Sequence, residues 1–138
     1  MSNPDDFTAA LAQAQAAVAA MADQYIGWVT ADLERLDQAI ARIDATNPAH
    51  GLKMTHDVAH DIKGQGATFG YRLVTDIGAL LCRYLQRAEK RNAYDLAVID
   101  AHVQALKTVI DNRVQGDAGE LGKEILASLE AAAAKGGS

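Results

Sequence analysis

The run His60-Asp61-Ile62-Lys63-Gly64 sets an imidazole, an ammonium three residues on and a bare backbone position four residues on along one short stretch of chain. Wound as a helix at about 100° per residue, Lys53, His56, His60, Lys63 or Gly64, and Ala67 share one face. That face is displaced from the apolar stripe Leu52, Thr55, Ala59, Ile62, Gly66 and Phe69, so it looks outward. An imidazole in such a place can serve as a nucleophile, because an ordinary histidine pKa of about 6.5 keeps much of a solvent-accessible population neutral at cellular pH. Lys63 could bring an ammonium beside added phosphoryl oxygens. Glycine in a helix interior costs about 1 kcal/mol relative to alanine, and two stand here, Gly64 and Gly66. Gly66 lies on the inward stripe, where a missing side chain lets helices approach closely. Gly64 has no such explanation. Its bareness would open room around His60 for another protein's backbone or a phosphoryl group.

Other readings of these residues stay open at this stage. His56 and His60 are four apart, with Asp57 and Asp61 beside them, a spacing that permits metal ligation between facing helices. Against it, the Glu-x-x-His elements expected on other helices are missing, and Lys63 would set positive charge near a cation. A non-catalytic adaptor or dimerisation bundle, with His60 incidental and alanine-rich ends pairing, is the remaining alternative. His50 lies in a turn and His102 beside an apolar stripe, where structural or surface roles are expected. Cys82, the lone cysteine, falls in an apolar helical run and reads as a small buried hydrophobe.

Such a site needs a scaffold, and the composition specifies a helical one. The 138 residues are 49% hydrophobic and 22% charged, which fits one domain, residues 1–138, and excludes a disordered chain. Alanine is abundant and β-branched runs are scarce. A formal charge of −5 with no basic concentration argues against a nucleic-acid partner. No stretch approaches the roughly 20 apolar residues that span a bilayer, and no membrane partner is expected. The first twenty residues lack the order of a signal peptide, so the expected location is cytoplasmic.

Asn3-Pro4-Asp5-Asp6 predicts a helix start, with a cap, a proline in the first turn and acids at the positive end of the dipole. Apolar positions recur at Phe7, Leu11, Ala14, Val18, Met21 and Tyr25, and continue through Val29, Leu33, Leu36, Ile40 and Ile43. Gly27 favours a break or bend near Asp23 to Gly27, separating an extra helix of about 4–21 from a bundle core of about 23–115. Thr46-Asn47-Pro48 punctuates the chain, with Asn47 a candidate cap for a helix of about 50–69 that Gly70 closes. Helices of about 72–90 and 93–114 follow, the second capped by Asn92. Gly116 ends it, and Asp117 with Glu120 opens an extra C-terminal helix of about 118–133. The predicted fold is all-α: an antiparallel up-and-down four-helix bundle with additional N- and C-terminal helices.

On that background, His60-Asp61-Ile62-Lys63-Gly64, closed by Gly70 ten residues after the histidine, resembles the signature of the histidine-containing phosphotransfer (HPt) domains of two-component phosphorelays. The resemblance is most specific over residues 56–73 and extends, as helix order and length, over about 23–115. It implies a four-helix bundle in which His60 is the phosphorylated residue, Lys63 supports the phosphoryl group and Gly64 gives steric access. Family members often carry small hydroxyl or alanine residues where this chain has Gln65 and Gly66. Gln65 is a candidate hydrogen-bond donor to the phosphoryl group or the partner, although its position points it partly sideways. The implied partners are response-regulator receiver domains, with a hybrid sensor kinase as a further candidate. By the same resemblance the receiver supplies the aspartate and a divalent metal, so no cofactor is expected on this chain. No glycine-rich phosphate loop follows a strand, and autophosphorylation is not expected. The docking surface is expected around His60, from exposed residues of the first helix and the region of Tyr71 and Arg72.

Overall fold

A computed structural model describes residues 3–136, and every regular element among them is helical. The order is α1 (Pro4–Ala41), α2 (Ala49–Gly66), a 3-10 turn (Ala67–Phe69), α3 (Arg72–Arg91), α4 (Leu96–Asp111) and α5 (Gly119–Gly136). α1 starts as the sequence dictates: the Asn3 side chain accepts a hydrogen bond from the Asp5 N–H at 3.0 Å, and Asp5 and Asp6 occupy the first turn. The break expected between Asp23 and Gly27 is absent. A Cβ at Gly27 would meet nothing within 4 Å, so glycine there lowers propensity without bending the chain. Burial of Tyr25, Val29, Leu33 and Leu36 on one continuous face outweighs that loss. The extra N-terminal helix is therefore the first half of α1.

α1 packs on α2, α2 on α3, α3 on α4, and α4 back on α1, closing a four-helix ring. Tyr25, Leu36, Leu52, Ile62, Ile77, Leu81, Leu85, Ile99 and Leu106 fill it and are fully buried. Lys107 reaches Asp37 at 2.7 Å and ties α4 to α1 from outside. α5 lies against α3 and α4, with Leu129 and Ala133 buried in the contact. Among the described residues no helix is long and apolar enough to cross a membrane.

Two caps differ from expectation. Pro48, not Asn47, stands at the start of α2 and makes no side-chain cap bond. The turn before it is held by Asp44, whose carboxylate accepts from the Thr46 hydroxyl at 2.8 Å and the Thr46 N–H at 2.9 Å. Those bonds hold the Asp44 carboxyl below its ordinary pKa. Asn92 closes α3 in the left-handed region, with φ 52°, instead of opening α4. α4 starts later, at Leu96, because the Tyr84 hydroxyl accepts the Asp95 N–H at 2.7 Å and keeps the intervening residues in a turn. The Asp95 carboxylate then caps α4 through the Ala97 N–H. Just before α5, Asp117 accepts from the Gly119 N–H at 2.9 Å, but the expected capping box with Glu120 does not form, because α5 starts at Gly119 and Glu120 pairs with Lys123 at 3.3 Å.

α2 and α3 carry the site and run antiparallel, with Gly66 against Thr75 and Lys63 against Gly78. A Cβ on Gly66 would stand 2.8 Å from Thr75 Oγ1 and 2.9 Å from the Tyr71 carbonyl oxygen. One on Gly78 would stand 3.0 Å from the Lys63 Cβ. Both glycines let the two helices close on each other.

Candidate functional site

His60 stands on the outward face of α2 and is exposed. The opposite face is pinned into the core by Leu52, Thr55, Ala59 and Ile62, so the helix fixes the position of the imidazole while the ring stays in solvent. His56, one turn earlier, is half-buried, and its ring centroid lies 6.2 Å from that of His60, beyond hydrogen-bond reach. Asp57 is engaged by Lys53 at 3.3 Å and stands 3.9 Å from His56 Nδ1. Among the described residues no three of His, Cys, Asp and Glu converge to hold a metal ion.

Lys63 has its stem half-buried against Gly78. Helical side chains lean toward the N-terminus of their helix, which directs this one toward the turn of His60. On the facing α3, burial pushes the Cys82 thiol pKa up, and the Lys63 charge works against the rise. Among the described residues no hydrogen bond or ion pair engages the ammonium. Gly64 is exposed, and a Cβ there would meet nothing within 4 Å. Packing within this chain therefore explains Gly66 and leaves Gly64 unexplained.

Thr75 was not singled out by sequence reasoning. Its hydroxyl donates to the Lys63 carbonyl at 2.8 Å and accepts from the Ala67 N–H at 2.8 Å. In a continuing α-helix those two backbone groups would bond each other, so the hydroxyl is inserted into the ladder and ends α2 there. The available signal was a hydroxyl residue on the side of α3 that must face Gly66.

Beside this end of α2 an aromatic cluster forms. Tyr25 stacks on Phe69 at 5.1 Å and lies 5.3 Å from Tyr71, while Trp28 meets Phe69 edge-on at 5.7 Å. Tyr71, expected on the docking surface, is buried in this cluster, because the left-handed turn at Gly70 (φ 88°) folds it inward. Arg72 is exposed and pairs with Asp76 at 3.0 Å. Trp28, which the sequence reading passed over, is 49% exposed. With Ala31, Asp32, Gln65 and Phe69 it lines an open groove of 450 Å³. Gln65 is exposed and shares that groove with Trp28 and Phe69. His50 is exposed in the first turn of α2, and His102 is fully buried, its Nδ1 2.8 Å from the Val98 carbonyl oxygen.

A family model for the Hpt domain matches residues 20–116. The chain belongs to the Hpt domain family. No curated protein and no solved structure matches. Hpt domains carry out histidine phosphotransfer in two-component phosphorelays and interact with response-regulator receivers and kinases. The matched span opens inside α1 and closes at Gly116, so it takes in the four-helix ring and leaves the projecting start of α1, and α5, outside it. In this Hpt domain the family match and the helical ring agree on architecture.

Proposed function

We propose that this Hpt domain is a phosphohistidine carrier, taking a phosphoryl group onto His60 from the aspartyl phosphate of one receiver domain and passing it to the aspartate of another. The observation that carries the reading is the pairing of an exposed imidazole with Gly64, a helix-interior glycine that no neighbour in this chain requires. The lone pair of one ring nitrogen forms the bond to phosphorus as the bond from phosphorus to the aspartyl oxygen breaks. The electron pair of that bond leaves on the carboxylate. The second ring nitrogen holds the imidazole proton, or releases it to solvent once the ring is charged. Because such transfer runs through a loose transition state, alignment and charge stabilisation are the main demands on the protein.

Each neighbour has a part in this reading. Lys63 supplies positive charge to the phosphoryl oxygens from the half-buried stem that Gly78 accommodates. Gly64 leaves space for the receiver backbone. Gln65, with Trp28 and Phe69 beside it, offers an amide and an apolar surface to the docked partner. The divalent metal is expected on the receiver. A hybrid sensor kinase is a candidate source of the first receiver phosphate. Incubation with phosphorylated receivers tests the proposal: label should pass to the wild-type chain and not to His60→Gln, whose helicity and melting should match wild type. Equal labelling of both proteins would refute it by placing the acceptor elsewhere, and labelling of neither would refute it and return the adaptor reading.

A further inference from the structure

The first half of α1 leaves the bundle. Every residue from Asn3 to Met21 is exposed, yet the segment carries a regular apolar seam. Phe7, Leu11, Ala14, Val18, Met21 and Tyr25 follow one another at alternating spacings of four and three residues. That period of about 3.5 residues belongs to helices that pair along a seam. Only Tyr25 is covered by the bundle, while Phe7 is 68% and Val18 66% exposed. From Phe7 to Ala22 no residue is charged, although a projecting helix normally keeps charge on its solvent faces. A helix lying on a membrane surface would need Lys or Arg on its polar face, and this segment has none.

Two features select a second copy as the covering partner. The seam is close to a mirror of itself about Ala14: Phe7 and Met21 each lie seven residues from it, and Leu11 and Val18 lie three and four. Laid antiparallel across a two-fold axis there, Ala14 meets Ala14 and Phe7 meets Met21, while Leu11 and the other chain's Val18 pack side by side with an offset of one residue, about 1.5 Å, so the contact is reciprocal as a symmetric pairing requires. The small residue at the axis lets the backbones close, and the outer pair sets a methionine sulfur against an aromatic ring. In addition, an apolar groove of 680 Å³ stands where the partner's Phe7 would arrive, walled by Val18, Met21 and Ala22 of the projecting helix and by Phe69 and Gly70 of the bundle. The residues flanking the seam, Thr8, Ala10, Gln15, Ala17, Ala22 and Gln24, are small or neutral, so no like charges oppose each other. From Phe7 to Met21 the seam is about 21 Å long, with an aromatic plug at each end.

We infer that two chains pair antiparallel through residues 7–21 of α1, each Phe7 seated in the groove beside the other chain's Phe69. Neither His60 nor Lys63 lines that groove, so the pairing stands or falls separately from the phosphotransfer reading. Sedimentation equilibrium of the full chain at micromolar concentration should return twice the chain mass. The double variant Leu11→Glu/Val18→Glu should raise the dissociation constant about tenfold or more while retaining helicity, because both side chains are exposed. Ala16→Glu, on the far face of the same helix, should leave the dimer intact. Under mild oxidation Ala14→Cys should cross-link to itself and Phe7→Cys should not. A wild-type monomer overturns the inference, as does a dimer indifferent to the double variant, a monomer whose seam instead binds a receiver, or self-cross-linking at position 7 in place of 14.

Discussion

Gly64 and Gly66 stand two residues apart on α2 and meet opposite surroundings, open space for one and the Thr75 hydroxyl for the other. Alanine at position 64 should therefore stabilise the fold, by roughly 0.5–1 kcal/mol, because it gains helix propensity and displaces nothing. Alanine at 66 should lower the melting temperature, since its Cβ would press on Thr75 and the Tyr71 carbonyl. A bulky Gly64→Gln should keep the fold and slow receiver-dependent transfer, and Lys63→Ala should slow transfer or shorten the life of the phosphorylated form without removing the acceptor. These are read from melting curves and single-turnover transfer rates. His102 gives a pH prediction at the same scale. Burial holds its pKa below the ordinary 6.5, so the unfolded chain binds the proton first as pH falls. Its contribution is complete above that ordinary value and is lost as pH falls through the lower pKa of the folded state. Melting temperature should therefore decline on mild acidification, and His102→Leu should flatten that decline. The outward face of His60 was legible in the sequence because it follows from angular position on one helix. The burial of Tyr71 was not, because it depends on how the chain turns after Gly70.

At the scale of elements, the end of α2 is set from outside by α3. Thr75→Val removes a hydroxyl of the same shape as the added methyl and leaves the Lys63 carbonyl and the Ala67 N–H without that partner. A loss of about 1–3 kcal/mol is expected, with faster amide exchange at Ala67, measured by denaturant melts and hydrogen exchange. If both stay at wild-type values, the inserted hydroxyl is not what ends the helix. The length of α1 shows where local reading stops. Gly27 argued for a break, but the seam on either side of it is one seam, and packing of Tyr25 and Val29 decided the outcome. Asn47 and Asn92 were read as caps from residue type alone. Which of several polar residues near a turn takes the cap depends on contacts such as the Tyr84 hydroxyl on Asp95, which no local pattern reveals.

Across the whole molecule, the apolar periodicity of four segments with turns of a few residues between them was enough to specify the helical ring, and the Hpt family match covers that ring. What the pattern left open is what covers the ends. α5 finds α3 and α4, while the start of α1 is left exposed among the described residues. The same helical periodicity that reads as core from Tyr25 onward is exposed before it, and both stretches are built from spacings of three and four. The central claim remains chemical: one imidazole on the exposed face of the ring carries phosphate. Its most direct test is to charge the full chain with a phosphorylated receiver and map the modification by mass spectrometry under conditions that preserve phosphoramidates. One acid-labile phosphoryl group per chain, on His60, is the result expected. Phosphate on His56 or on a carboxylate, or none on a folded chain that binds the receiver, would contradict it.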